Sequence, residues 1–127
     1  MPIAFAKNQT AVAEHNSTNG VTTLKTDPQP MGGMNYCTVI LNVESYIDVS
    51  SGTPEIKIQG EGSNDGVQYA TIASLVTAAA TGTGLNQISA DVTFAFLRFS
   101  IELDAKSGGA GEWAAATYDI HANLTQK

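Results

Sequence analysis

Two histidines, one cysteine and twelve carboxylates are the residues of this 127-residue chain best suited to chemistry. His15 and His121 lie far apart, with no His-x-His, Cys-x-x-Cys or His-Glu-x-x-His spacing around them, so the pattern of a transition-metal site is missing. Nucleophilic catalysis needs a Ser or Cys beside a base and an oxyanion hole, and no Gly-x-Ser-x-Gly elbow is present. Glu55, Glu61 and Asp65 gather around one turn, while Asp48, Asp91, Asp104 and Glu112 fall near other strand ends. Such carboxylates read as solvated turn charges. The alternatives left open by the sequence are a glycosidase pair, which is set by separation in space, and a Ca²⁺ site of loop carboxylates with neighbouring carbonyls. The expectation is a protein without catalytic residues, metal or cofactor.

Cys37 cannot form an internal disulfide, since the chain has one cysteine. It shares parity with Val39, Leu41 and Val43, which makes it a small apolar core residue. Arg98 has two readings. It is either an interface or ligand contact, or a strand cation paired with Glu102 or with an acid on the neighbouring strand. Trp113 follows a Gly-rich stretch, where it either anchors a sugar or protein contact or closes the end of a sandwich.

The elements that must position these residues are strands. Glu55 to Gln59 alternates, with Ile56 and Ile58 inward, and runs into the turn Ser63-Asn64-Asp65-Gly66, whose residues tolerate positive φ. Val67 to Ile72 reads as the return strand. Tyr36 to Val49 alternates, with a phase slip near Ser45-Tyr46 that predicts a bulge. Ala95, Leu97, Phe99, Ile101 and Leu103 share one face of a further strand, with Phe94, Phe96, Arg98, Ser100 and Glu102 on the other. Gln87 to Val92 reads as a short strand, and 73–85 as a loop or irregular edge. The last strand spans Trp113 to Thr125, with Tyr118, Ile120, Ala122 and Leu124 inward. Loops are expected at 50–54 and at Ser107-Gly108-Gly109-Ala110-Gly111.

Residues 1–35 lack sustained periodicity and are rich in Asn, Thr, Gly and Pro. They read as an N-terminal arm with short strands at Ile3-Ala4-Phe5 and Val21 to Lys25 and a turn at 16–20, ahead of a sandwich domain over 36–127. The predicted fold is all-β: a two-sheet antiparallel β-sandwich, jelly-roll-like, with an extended N-terminal arm.

Composition narrows the function. Charged residues make up 14% of the chain, against about 25% in an average soluble domain, and the net charge is −6. The six cations are scattered singly, so the clustered Lys and Arg that nucleic-acid binding needs are missing. No run approaches the ~20 apolar residues of a membrane span. The stretch Met1 to Lys7 is too short and polar for a signal peptide, which predicts synthesis and assembly in a cytoplasm.

The string from Ile56 through Ser63-Asn64-Asp65-Gly66 and Tyr69 to Ile72, followed by Phe96-Leu97-Arg98-Phe99-Ser100-Ile101, carries a family resemblance. It resembles the signature of discoidin-like and related jelly-roll sandwiches, a pattern that recurs in small tailed-bacteriophage virion proteins, including capsid decoration (cement) proteins. It covers about residues 36–125. The resemblance implies a structural virion protein that binds and stabilises a phage capsid lattice, as a homo-oligomer (trimers favoured) on the major capsid protein. It implies a place on the outer capsid surface. Ile3, Phe5, Met31, Met34, Phe94, Phe96, Arg98 and Trp113 are the expected interface residues. A carbohydrate-binding or adhesion module of a tail or fibre is the alternative. There Trp113 and Arg98 would carry the ligand, although the loops at 50–54, 76–86 and 106–112 are small and rich in Ala, Gly and Thr.

Overall fold

Alternation of apolar and polar side chains builds most of the long elements. The computed structural model describes residues 2–14, 20–49, 53–105 and 112–127. Regular structure among them is entirely strand: β1 (Pro2–Glu14), β2 (Val21–Lys25), β3 (Gln29–Pro30), β4 (Tyr36–Val49), β5 (Glu55–Ser63), β6 (Ala70–Val76), β7 (Gly84–Asp91), β8 (Phe96–Asp104) and β9 (Trp113–Thr125). His15, most of the turn expected at 16–20, residues 50–52 of the first loop and the Gly-rich tip at 107–111 lie outside the described residues.

Sheet A has the order β1-β9-β4-β7 and sheet B the order β2-β8-β5-β6, with β3 also paired to β8. Setting aside the two-residue β3, the first strand pairs with the last, the second with the second-last and so inward. The pairs are β1 with β9, β2 with β8, β4 with β7 and β5 with β6, all antiparallel. One long hairpin wound in this way into two facing sheets is a jelly roll. Its first and last strands start and finish together, with Pro2 opposite Asn123.

The core lies between the sheets. Cys37, Val39 and Leu41 of β4 and Ile120 and Leu124 of β9 face Ile56 of β5 and Leu97, Phe99 and Leu103 of β8, all of them fully buried. Burial pushes the Cys37 thiol up to about 12, so it stays protonated and inert. The turn between β5 and β6 is organised by Asp65, whose Oδ1 accepts from Ser63 Oγ, Val67 N and Gln68 N. Those bonds hold its carboxyl below the usual range, the Gln68 and Val67 amides contributing most. Gly66, at φ 76, closes the turn.

The leading segment differs from the expected arm. Residues 2–14 form β1 and pair with β9 from Pro2 to Glu14, burying Ala6, Ala11 and Ala13, while β2 and β3 pair with β8. Residues ahead of Tyr36 therefore contribute strands to both sheets. Two register shifts, between Ala4 and Ala6 and between Ala6 and Gln9, break the period, and Asn8 takes φ 50 there. With alanine filling the inward positions, the strand carries little apolar contrast for periodicity to detect.

Candidate interface

The eight residues singled out in the sequence divide into four groups. Ile3 and Phe5 are partly buried on β1 and pack against the core, the Phe5 ring meeting Phe99 edge-on with centroids 4.8 Å apart. Trp113 is half-buried at the start of β9, between Glu14 of β1 and Val49 of β4.

Met31, Met34, Phe94 and Phe96 come together. They line one depression of about 570 Å³, floored by the turn at Gly32-Gly33 and by Val92. Met31 is buried, whereas Met34, Phe94 and Phe96 are partly exposed. Alternation places Phe94 and Phe96 on one outer face, but β8 begins only at Phe96 and the chain bends at 94–95. The Phe94 ring consequently folds over Gly62, where a Cβ would stand 2.2 Å from Cδ2. Methionine beside phenylalanine makes an adaptable apolar surface, suited to contact with protein.

Arg98 is committed within the molecule. It stands opposite Glu61 on the outer face of sheet B, and its Nε donates to Glu61 Oε1 at 2.8 Å. Lys25 Nζ donates to both Glu61 oxygens, at 3.0 and 2.8 Å. The guanidinium also lies 3.8 Å from the Tyr69 ring centroid, a cation–π contact. Burial alone would raise the Glu61 pKa, but the bonds from Lys25 and Arg98 outweigh it and hold the carboxyl below its ordinary value. Glu102 pairs instead with Lys57 across the β5–β8 ladder, at 3.9 Å. Of the two readings of Arg98, the cross-strand acid is the partner observed.

The outer face of sheet A is different in kind. Successive rows across β1, β9 and β4 read Glu14–Trp113–Val49, Val12–Ala115–Ile47 and Thr10–Thr117–Ser45. Val12, Ile47 and Val49 are 45%, 48% and 47% exposed, an apolar patch that sequence reasoning did not single out. Its signal was the bulge. Up to Val43 the odd positions of β4 point inward, and the register shift between Val43 and Ser45 turns Ile47 and Val49 outward.

Beside the patch, Asp119 is flanked by bulges on both neighbouring strands. Its Oδ1 accepts from Asn8 N at 2.7 Å. A hydrogen bond between Glu44 and Asp119 raises the Glu44 pKa. Asp119 is held down by the Asn8 amide and then by that same bond, so the two neighbouring carboxyls shift in opposite directions. Among the described residues no group of three or more His, Cys, Asp or Glu side chains is arranged to hold a metal ion.

No protein family matches the chain, and no curated protein does. Solved structures do. The structure of the Gx strain of infectious bursal disease virus superposes with a TM-score of 0.64 at 11% identity, over 99% of this chain and 32% of that one. The VP2 subviral particle of the same virus gives 0.61 at 13% identity, with the same coverage. Its T13 viral particle gives 0.62 at 10% identity, over 99% of this chain and 30% of that one. The chain thus spans about a third of the length of these neighbours. At such identities the likeness concerns the fold: the β-sandwich is one that a viral particle protein also uses.

Proposed function

We propose that this chain is a structural protein of a virus particle. It seats on the outer surface of a tailed-bacteriophage capsid, grips the major capsid protein and stabilises the lattice as a decoration protein. The observation that carries this reading is the jelly roll itself, superposable along 99% of its length on segments of virus-particle proteins. The surface supports it. Apolar contacts are offered at the Met31–Phe96 depression and on the outer face of sheet A, whereas Lys25 and Arg98 are both ion-paired with Glu61. Cations spent in this way leave little for phosphate, so the partner is protein rather than nucleic acid. The role is mechanical and not catalytic. A ligand that binds only the expanded lattice stabilises it by mass action, opposing the pressure of packaged DNA. Assembly on the particle takes place in the host cytoplasm.

Purified chain added to undecorated phage shells should co-sediment to a saturating occupancy and raise the temperature at which shells rupture. Met34→Asp with Phe96→Ser should lower occupancy while the free chain keeps its cooperative unfolding. Failure of the wild-type chain to bind any expanded shell would refute the reading. A positive glycan array would favour the adhesion module instead, although Arg98, which that role requires, is already bonded to Glu61 and stacked on Tyr69.

A further inference from the structure

The sandwich has two flanks. One is formed by the edge strands β1 and β2, the other by β6 and β7. Between Asp65 and Asp91 the sequence holds no charged residue, so the β6–β7 flank carries no charge ahead of Asp91 at its end, in a chain of net charge −6. The β1–β2 flank carries Lys7, Glu14, Lys25 and Asp27.

Edge strands present unpaired N–H and C=O groups, and proteins block them with charges, proline, bulges or shortness. Three of the four edges here are blocked in one of these ways. Along β1 stand Lys7, two register shifts and the positive φ of Asn8. β2 is five residues long and ends at Lys25. β6 keeps three register partners on β5, with a shift between Gln59 and Glu61. β7 has no such device. It pairs with β4 without a shift, from Asp91 opposite Tyr36 to Gly84 opposite Val43, and contains neither proline nor a charge before Asp91. Among the described residues β4 is its sole strand partner, and Leu85, Gln87 and Ser89 project outward, with Leu85 71% exposed.

A regular, unblocked edge is a ready template for another strand. We propose that β7 is a strand-addition site occupied by β7 of a second copy of this chain. The two strands run antiparallel about a two-fold axis and join two four-stranded sheets into one of eight. Charge selects the occupant. Two bodies of net charge −6 repel wherever carboxylates face each other, and the β6–β7 flank is where they meet without that opposition. An antiparallel strand is also complementary to itself. With Gln87 on the axis facing its own counterpart, Leu85 of each copy stands opposite Ser89 of the other on the outer face, and Asn86 opposite Ile88 on the inner one. The two Asp91 carboxylates fall at opposite ends of the paired ladder. Self-pairing closes with two-fold symmetry, in place of the trimer that the family resemblance implies. The contact stands independently of what the particle is.

Light scattering across a dilution series should show a monomer–dimer equilibrium. Gln87→Cys should cross-link the dimer on mild oxidation, since Cys37 is buried and inert, whereas Gln9→Cys on the opposite flank should not. Leu85→Lys with Gln87→Lys, which sets cations against each other across the axis, should weaken dimerisation about tenfold or more. A chain that stays monomeric at every concentration overturns the proposal. So does a dimer captured through Gln9→Cys and not through Gln87→Cys. If the double lysine variant fails to fold, the cross-linking pair still decides.

Discussion

At the scale of single residues, the group with most at stake is Glu61. It lies 7% exposed on the outer face of sheet B, between the cations of Lys25 and Arg98. Glu61→Gln removes the anion and leaves two positive groups side by side, over a partly desolvated site. A loss of about 1–3 kcal/mol follows from hydrogen bonds to charged partners, read as a lower midpoint in urea unfolding. The pH dependence has a definite sign. The folded carboxyl titrates below its unfolded value, so the stabilisation is complete above the unfolded pKa of about 4.3 and is lost as pH falls through the depressed one. Wild type and Glu61→Gln should therefore converge in stability on acidification below about pH 4. A gap that stayed constant from pH 7 to that region would mean that the ion pairs contribute nothing. Tyr69 completes this group by covering Arg98, while its hydroxyl is buried without a hydrogen-bond partner among the described residues.

At the scale of elements, two glycines of β5 decide how the sandwich closes. A Cβ on Gly60 would meet the flexible end of Leu75 at 2.5 Å, whereas on Gly62 it would meet Phe94 Cδ2, Cγ and Cβ at 2.2, 2.4 and 2.8 Å. The Leu75 tip can rotate away, but the Phe94 ring cannot without leaving its seat. Gly62→Ala is expected to cost about 1–3 kcal/mol, as overpacking does, and Gly60→Ala less, with thermal unfolding ranking the two. β1 makes a second test. Deleting residues 1–14 removes an edge strand and uncovers Ala116 and Tyr118 of β9, so the remainder should lose cooperative unfolding and bind hydrophobic dyes. A truncated chain that unfolds as sharply as the whole would return the segment to the status of a loose arm. Most elements were legible from the alternation of apolar residues: β4 with its bulge, β5 and its Asp65 turn, the core face of β8 from Leu97, and β9 over its full span. What stayed hidden has a common cause. A bulge flips parity, so β1 read as irregular and the outward turn of Ile47 and Val49 went unseen. The start of β8 was misplaced because Phe94 is fixed by a distant glycine, a tertiary contact that no local period encodes. For the candidate site, Met31, Met34, Phe94 and Phe96 were picked out individually as apolar residues in polar surroundings. That they share one depression is a product of the topology.

At the scale of the whole molecule, the two broad faces differ in charge. Sheet B shows a ladder of Glu, Lys and Arg whose members pair among themselves. Sheet A shows at one end an apolar patch of Val12, Ile47 and Val49. Attachment through the neutral surfaces should depend little on ionic strength, because there is scant charge to screen. Occupancy on shells, followed by quantitative gel densitometry at low and high salt, should change by less than about twofold. A steep loss with salt would move the contact to sheet B. The winding of the chain has one more consequence. Pro2 faces Asn123 across β1 and β9, so the start of β1 and the last residues of β9 lie side by side at one end of sheet A. A short linker could therefore close the polypeptide into a circle, and new ends could be opened elsewhere without rewiring either sheet. The same end offers a graft point, where the module could be spliced into a loop of a larger host, or made to carry a passenger, with no strain on the strands between.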